Sequence, residues 1–291
     1  MIEARDEAVA ATPAETGVRH SELRVLGLRT RVLQAGPADV NEAVVLVHGG
    51  ARSADDWLDL LPRVGAFARA VAIDLPGFGA ADEARDWSGF GTAGWAHYLT
   101  AVLDRLGIER AHLVLHDMGG EVGLGWAVAQ PDRFASAVLI NTGALRDFHW
   151  HLIARLHRIP VLGYLTALTG RLGIGIILRL YEPRLSAQQI RDWRAGYVWS
   201  ARRSLWRYYR GTAASGLGRL APELRELDRP ALVIWGANNH FVPAVQAQRQ
   251  LESFPHAHVH VLENSGHYTH LDSPDRVAEL VLPFLRAATH S

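Results

Sequence analysis

The segment LVLHDMGGEVG, residues 113–123, decides which fold this sequence predicts. It begins as an apolar strand and continues, after two glycines, as a helix. Asp117 lies at the tip of the turn between them, flanked by His116 and Met118. A polar residue at such a turn is typically held in a strained conformation and projects into a pocket. The turn therefore predicts a reactive carboxylate, and a simple helix N-cap is the structural alternative.

Composition restricts the chemistry that this chain can perform. The 291 residues carry no net charge at pH 7, so no overall field attracts nucleic acid or an anionic membrane, and we expect neither as a partner. All 30 basic residues are Arg, which excludes lysine nucleophiles and Schiff bases, and the absence of Cys excludes thiolate catalysis and disulfides. With 48% hydrophobic residues, the chain is long enough for one large α/β domain with an insertion.

Short apolar runs alternate with amphipathic ones along most of the chain, which is typical of a parallel sheet flanked by helices. The alternation stops between residues 144 and 217, a stretch rich in Arg, Trp, Tyr and Leu without a convincing strand. We expect this stretch to form a helical lid over the carboxyl ends of the strands, where open α/β sheets bind ligands. Ordinary crossover helices are the alternative, but the stretch is too long for one crossover.

The N-terminal residues 1–20 are acidic and Ala-rich and lack the features of a signal peptide, so we predict a flexible extension there. No segment has the roughly 20 uninterrupted apolar residues of a membrane span. These features predict a cytoplasmic protein, a monomer or a homodimer, with a small-molecule substrate.

Two further motifs accompany the Asp117 turn. His48, Gly49 and Gly50 end an earlier strand, and the backbone N–H groups of Gly50 and Met118 are placed to form an oxyanion hole. His267 follows Gly266 after the late strand HVHVL.

The ordered motifs VLVHGG, DLPGFG, LHDMGG, WGANNHFVP and SGHYTHLDSPDRV resemble those of the α/β-hydrolase superfamily over nearly the whole chain after residue 20. The resemblance implies an α/β fold with a mostly parallel eight-stranded sheet. It places the core domain at residues 21–143 and 218–291 and the helical cap at 144–217. It also implies that Asp117 is the nucleophile and His267 the base.

Most members that resemble this chain carry Ser at the turn, whereas LHDMGG is similar to the turn of epoxide hydrolases and haloalkane or haloacetate dehalogenases. An ionised Asp attacks an electrophilic saturated carbon directly, and the resulting alkyl ester is hydrolysed by a base-activated water. Dehalogenases commonly bind the halide through Trp and Asn, whose positions hold Met118 and Gly50 here. Haloacetate dehalogenases bind a carboxylate through arginines, and Glu121 stands in one of those positions. These departures favour an epoxide hydrolase, with a haloalkane dehalogenase as the alternative.

Epoxide hydrolases protonate the ring oxygen with cap tyrosines, and the resemblance makes Tyr209 and Tyr164 candidates, although cap tyrosines more often only pack. The family's triad acid falls on Asn239, or on Asn141 in some dehalogenases, and neither is acidic. Asn239 still accepts a hydrogen bond from an imidazole, and Glu263 or Asp272 are alternative acids.

We expect an apolar substrate, with polycyclic compounds among the candidates. We predict pocket-lining residues at the strand ends and the start of the cap: His48, His116, Asn141, Trp150 and His240. No metal or organic cofactor is predicted, since the scattered histidines lack metal-site spacing. Two readings from other classes stay open. One is a non-hydrolytic cyclase or lyase that uses Asp117 as a general base, and the other is a small-molecule binding protein.

Overall fold

A computed structural model describes residues 12–13, 17–84, 91–213, 216 and 218–289. The predicted N-terminal extension, residues 1–20, lies largely outside the described residues. Its last part belongs to the core, because Val18 is buried and a sheet strand begins at Arg19.

The described residues form one mixed sheet. Its strands are β1 (Thr12–Pro13), β2 (Arg19–Val25), β3 (Leu28–Ala35), β4 (Glu42–Val47), β5 (Ala70–Ile73), β6 (Arg110–His116), β7 (Phe134–Ile140), β8 (Ala231–Gly236) and β9 (His258–Leu262). Their spatial order is β1-β2-β3-β5-β4-β6-β7-β8-β9. Strands β5, β4, β6, β7, β8 and β9 pair in parallel with their neighbours. The pairs β1–β2, β2–β3 and β3–β5 are antiparallel. The predicted eight-stranded, mostly parallel sheet is confirmed, and the two-residue β1 extends its edge.

The helices are α1 (Leu60–Gly65), α2 (Thr92–Arg105), α3 (Met118–Ala129), α4 (Leu152–Arg158), α5 (Pro160–Tyr181), α6 (Ala187–Gly196), α7 (Trp199–Gly211), α8 (Ala221–Leu227), α9 (Val245–Arg249), α10 (Thr269–Asp272) and α11 (Pro274–Thr289). Short 3-10 turns cover Ala54–Trp57 and Gln250–Glu252.

Burial follows the position of each strand in the sheet. The central strands β6, β7 and β8 are apolar and buried almost throughout, whereas the edge strand β9 alternates between half-buried and exposed residues. Each sheet face has its own apolar core. Trp95 of α2 and Trp126 of α3 lie in one core, and Leu61 of α1 and Val281 of α11 lie in the other.

Between β7 and α8 the chain forms the four helices α4 to α7, which we call the lid. The described residues of 144–217 contain no strand, as the sequence predicted. Gly170 bends α5 because its φ of 53° and ψ of −126° interrupt the helix. The lid is tied to the core by Glu83, which accepts hydrogen bonds from Arg203 and Arg207 of α7. These contacts place the lid above the loops that follow the strands.

Among the described helices, none alone has the length and apolar character needed to cross a membrane. The two halves of α5, Pro160–Leu168 and Gly173–Tyr181, reach that length and composition only together, and they meet at a bend of 93°.

Candidate active site

Asp117 lies on a strained turn between β6 and α3. Its φ of 48° and ψ of −120° are unfavourable for a residue with a side chain. The two glycines that follow are required by space, since a Cβ on Gly119 would lie 2.4 Å from the Val47 carbonyl oxygen. A Cβ on Gly120 would lie 2.0 Å from the Thr142 hydroxyl. That hydroxyl donates to the Asp117 carbonyl at 2.6 Å. The turn therefore fixes the backbone of Asp117.

The Asp117 carboxylate has two contacts and an open side. The backbone N–H of Gly50 donates to Oδ1 at 2.8 Å, and Nε2 of His267 lies 3.5 Å from Oδ2. One third (33%) of the side-chain surface remains exposed in a cavity. Enclosure by protein favours the neutral acid, but the hydrogen bond and charge of His267 outweigh it and hold the pKa of Asp117 well below its usual range. At neutral pH the group is an ionised, accessible carboxylate.

Met118 begins α3, and the first turn of a helix leaves its backbone N–H groups without helical partners. Together with the Gly50 N–H, this position suits the predicted oxyanion hole. Met118 also lines the cavity beside Asp117.

The His267 loop is fixed by backbone contacts. The His267 carbonyl accepts hydrogen bonds from Asn141 Nδ2 at 2.7 Å and from His116 Nε2 at 3.0 Å. Asn141 Oδ1 in turn accepts from the Gly236 N–H at 2.9 Å. Asn141 therefore joins the ends of β7 and β8 to the His267 loop, and its side chain contacts backbone groups and the Thr269 hydroxyl rather than the imidazole.

The Asn239 side chain makes no hydrogen bond to the imidazole. Its Oδ1 accepts the N–H groups of Phe241 and Val242, both at 2.9 Å. Its Nδ2 is buried without a hydrogen-bond partner, and so is Nδ1 of His267. Asn239 thus stabilises its own loop, and the predicted orienting hydrogen bond to His267 is absent.

A buried carboxyl group at the end of the lid helix α5 contacts the His267 loop. Glu182 follows α5, is almost fully buried, and accepts the His267 backbone N–H with Oε1 and Oε2, both at 3.1 Å. Burial raises its pKa to about 7, against the lowering effects of His267 and the backbone N–H groups. A side chain at Gly266 would lie 2.2 Å from Oε2, so the Glu182 carboxyl group packs directly against this glycine. The sequence offered no signal for this contact, because Glu182 is 85 residues away from His267 along the chain.

Two cavities meet at Asp117. Chamber A, of about 520 Å³, is bounded by Glu121, Phe148, Trp150 and Tyr208. Chamber B, of about 530 Å³, is bounded by Ile174, Leu178, Trp193 and Tyr197 and also contacts His267. The two share five wall residues: Asp117, His151, Leu205, Tyr209 and Phe241. A bound molecule can therefore extend to either side of the nucleophile.

Residues 44–280 match the sequence profile of the alpha/beta hydrolase family. The chain belongs to the alpha/beta hydrolase family. It is 30% identical over 274 residues to the 2-hydroxy-6-oxononadienedioate/2-hydroxy-6-oxononatrienedioate hydrolase of Burkholderia vietnamiensis, which covers 89% of this chain and 92% of the relative. It is 27% identical over 263 residues to the 2-hydroxy-6-oxo-6-phenylhexa-2,4-dienoate hydrolase of Comamonas testosteroni, covering 86% and 89% of the two chains.

Solved structures share the fold of this hydrolase. The epoxide hydrolase VrEH1 of Vigna radiata superimposes with a TM-score of 0.78 at 18% identity, covering 94% of this chain and 99% of that one. A variant of the meta-cleavage product hydrolase CumD gives a TM-score of 0.78 at 21% identity, covering 92% and 98%. At these identities the likeness concerns the fold alone.

The candidate tyrosines of the hydrolase lie in different places. Tyr209 lines both chambers, and its hydroxyl lies 3.4 Å from Nε2 of His151. Burial, with the Asp117 charge, raises the pKa of Tyr209 well above its ordinary value. Tyr164, by contrast, is 48% exposed on the lid and packs edge-on against Trp199 and Trp206. The prediction for Tyr164 is wrong, because its side of α5 faces away from both chambers.

Tyr208 was not among the predicted site residues. Its hydroxyl donates to Oε2 of Glu121 at 2.9 Å, within chamber A. Burial raises the pKa of Glu121 to about 7, although the hydrogen bonds from Tyr208 and Thr92 oppose this.

Three of the five predicted pocket-lining residues lie elsewhere. His48 is fully buried, where its Nε2 accepts the Leu75 N–H at 3.0 Å and its Nδ1 lies 2.7 Å from the Gly49 carbonyl. His116 is buried beneath the His267 loop, as described above. His240 is exposed and packs edge-on against Tyr181. Asn141 and Trp150 do line chamber A.

Neither alternative acid replaces Asn239 beside the imidazole. Glu263 is exposed, and its backbone carbonyl accepts from Asn238. Asp272 accepts the Gly266 N–H at 2.7 Å and so fixes the turn before His267. Among the described residues, no three His, Cys, Asp or Glu side chains are grouped to hold a metal ion.

Asn239→Asp tests whether this position controls water activation. The change keeps one oxygen for the Phe241 and Val242 N–H groups and places a second where the unpartnered Nδ2 now lies. We expect hydrolysis of an Asp117 ester to accelerate by about tenfold or more in single-turnover kinetics, because a carboxylate stabilises the imidazolium form. Asn238→Asp, at an exposed neighbour, is the control and leaves that rate unchanged. If Asn239→Asp and Asn238→Asp hydrolyse the ester at equal rates, position 239 does not control water activation.

Glu182→Gln tests the lid carboxylate through the pH dependence of stability. In the folded protein the pKa of Glu182 is raised from 4.5 to about 7. Its contribution to the free energy of unfolding is therefore complete below pH 4.5 and is lost as the pH rises through 7. Gln has no such loss, so the Tm of the variant relative to wild type rises between pH 5 and pH 8, by about 2 °C or more.

Glu223→Gln, at an exposed residue of α8, serves as the control for the Glu182 measurement. Its Tm difference from wild type stays constant over the same pH range. A constant difference for Glu182→Gln as well would show that the lid carboxylate titrates as it does in water.

Proposed function

We propose that this hydrolase opens an epoxide in an apolar substrate through an alkyl ester on Asp117. The observation that carries the proposal is the ionised carboxylate at the strained turn, where it meets both chambers and lies 3.5 Å from His267. A serine at this position needs a base before it can attack, whereas a carboxylate needs none. The carboxylate suits substitution at a saturated, strained carbon.

In the first step an Asp117 oxygen forms a bond to a ring carbon and the carbon–oxygen bond of the epoxide breaks. Oδ2 is the better nucleophile, because Oδ1 accepts the Gly50 N–H. The bond electrons pass to the ring oxygen, which stays on the neighbouring carbon as an alkoxide and takes a proton from a nearby acid.

Tyr209 is the best-placed acid for this proton. Its partner His151 accepts the Ala154 N–H on Nδ1, at 3.3 Å. Burial lowers the pKa of His151 to about 4, so the ring is neutral at pH 7 and its single proton is on Nε2. Nε2–H then donates to the Tyr209 oxygen, which leaves the phenol O–H free to donate to the substrate. Asp117 and Tyr209 both lie in the wall of chamber A.

In the second step His267 takes a proton from water, and the hydroxide attacks the carbonyl carbon of the ester. The Gly50 and Met118 N–H groups stabilise the oxyanion that develops there. The ester C–O bond then breaks, the product alkoxide takes the proton from His267, and a diol is released. Asp117 is left as the protonated acid, and its proton returns to the Tyr209 phenolate, which restores the starting state of the site. Because Asn239 carries no charge, this step is expected to limit turnover.

The walls of the chambers favour a neutral substrate. Aromatic and aliphatic side chains dominate both, and no Arg is among the described residues that line them. A dicarboxylate, such as the substrate in the name of the Burkholderia relative, would meet Asp117 and Glu121 without a cation to pair with. An uncharged aryl or alkyl epoxide avoids this cost.

Dehalogenation is the second candidate, and one contact favours it. Nε1 of Trp150 lies in the wall of chamber A, buried without a hydrogen-bond partner. An indole N–H of this kind can stabilise a leaving halide. It would replace the Trp and Asn side-chain donors of dehalogenases, whose positions hold Met118 and Gly50 here. The same alkyl ester on Asp117 would form, with halide as the leaving group.

Mass spectrometry of His267→Gln after incubation with styrene oxide and with 1-bromobutane tests the proposal. We expect an adduct on the Asp117 peptide in the variant, because ester hydrolysis is blocked, and turnover without an adduct in wild type. The reagent that reacts identifies the leaving group. His258→Gln, an exposed histidine of β9, is the matched control and behaves as wild type.

Consumption of either reagent without an adduct in any protein would contradict covalent catalysis. Asp117 would then act as a general base, the chemistry required for a cyclase, a lyase or a carbon–carbon bond hydrolase. Binding without consumption would indicate a small-molecule binding protein.

A further inference from the structure

The lid exposes an unusual concentration of apolar surface. Nine of the fifteen large hydrophobic side chains that are exposed in the described residues lie between Leu152 and Leu180, on α4, α5 and their junction. We call this surface the lid face; its largest exposed fractions are those of Val161 (73%), Leu180 (70%), Leu152 (61%) and Ile176 (61%). Such a concentration of exposed apolar side chains indicates a binding face rather than ordinary solvent-exposed surface.

The exposed residues follow the helix period, so they form one side of each half of α5. In the first half, Val161, Leu165 and Leu168 are exposed while Gly163 and Ala167 are buried. In the second half, Ile176 and Leu180 are exposed while Gly175 and Leu178 are buried. The lid face is therefore built into the helices and is not a set of isolated side chains.

Charge identifies the partner that fits this face. Residues 152–181 contain four arginines, Arg155, Arg158, Arg171 and Arg179, all exposed, and no Asp or Glu. Over residues 144–217 the sequence has twelve Arg and three acidic residues. The zero net charge of the whole chain thus conceals a strongly basic lid on an acidic core. Basic and apolar side chains on one helical surface are typical of segments that lie at the surface of an anionic membrane.

The same charges disfavour a second copy of the chain as the partner. Two lid faces in contact would bring their arginines together with no carboxylate from either α4 or α5 to pair with them. An anionic lipid surface has the opposite charge and an apolar interior, and so satisfies both features of the face.

The lid face is also the outer side of the active-site roof. Ile153 and His157 of α4 and Ile174, Ile177 and Leu178 of α5 line chamber B from the inner side of the same helices. A membrane that contacts the lid face would thus lie one helix thickness from the cavity. An apolar substrate dissolved in the bilayer could then enter without crossing water.

We propose that the lid face docks on an anionic lipid surface, with the apolar side chains of α4 and α5 in the headgroup region and their arginines on lipid phosphates. This inference concerns binding alone and does not depend on the chemistry at Asp117. It runs against the expectation of no membrane partner, which rested on the net charge of the whole chain.

Flotation of the full chain with vesicles tests the proposal. We expect binding to vesicles of phosphatidylglycerol and phosphatidylcholine, little binding to phosphatidylcholine alone, and loss of binding at high salt, which screens the arginines. Val161→Asp reduces binding by about tenfold or more, because it places a charge on the apolar face. Val245→Asp makes the same change at a similarly exposed valine (63%) on α9 and leaves binding unchanged.

A charge variant keeps the test decisive if Val161→Asp fails to fold. Arg179→Gln is expected to weaken binding about fivefold, the effect of roughly one basic side chain near an anionic surface. Arg24→Gln, at an exposed position of β2 in the core, is its control. Hydrolysis of a water-soluble substrate stays unchanged in all four variants.

Three results would overturn the proposal. Equal binding to vesicles with and without phosphatidylglycerol would show that the arginines do not contribute to binding. Absence of vesicle binding by a monomer would show that the face has no lipid partner. A dimer that Val161→Asp dissociates, without vesicle binding, would show that a second copy covers the face.

Discussion

The strained backbone at Asp117 is the constraint on which the rest of the site depends. A side-chain-bearing residue with a φ of 48° persists only where its surroundings leave no alternative. Here the Val47 carbonyl and the Thr142 hydroxyl occupy the space next to Gly119 and Gly120. The first turn of the helix therefore has no room for a side chain at either glycine. The turn brings the carboxylate to the Gly50 N–H and to His267, and both chambers open on it.

The polar groups around His267 are arranged differently from the arrangement that the resemblance implied. Asn239 uses its oxygen for two backbone N–H groups, while the buried carboxyl group near His267 is that of Glu182 at the end of α5. This carboxyl group contacts the backbone of the His267 loop and not the imidazole ring. The position of His267 consequently depends on the lid being in place, so that the roof of the cavity and the His267 loop are mechanically joined.

The sequence predicted the fold well because the apolar strands, the glycine turns and their order along the chain are local features. Asp117, His267, Gly50 and Trp150 could be placed for the same reason. Glu182 could not be found, since its contact with His267 depends on how α5 bends at Gly170. The two tyrosines show the same limit: both lie in the lid sequence, and the helix orientations place Tyr209 in the cavity and Tyr164 at the surface.

Whether Asp117 bonds to the substrate is the central claim, and a single turnover in water enriched with oxygen-18 tests it most directly. With enzyme in excess over styrene oxide, the account predicts a diol without the label and one labelled oxygen in the Asp117 carboxylate. This follows because water attacks the ester carbonyl carbon rather than the substrate. A labelled diol with an unlabelled Asp117 would contradict the account and assign the carboxylate the role of a general base.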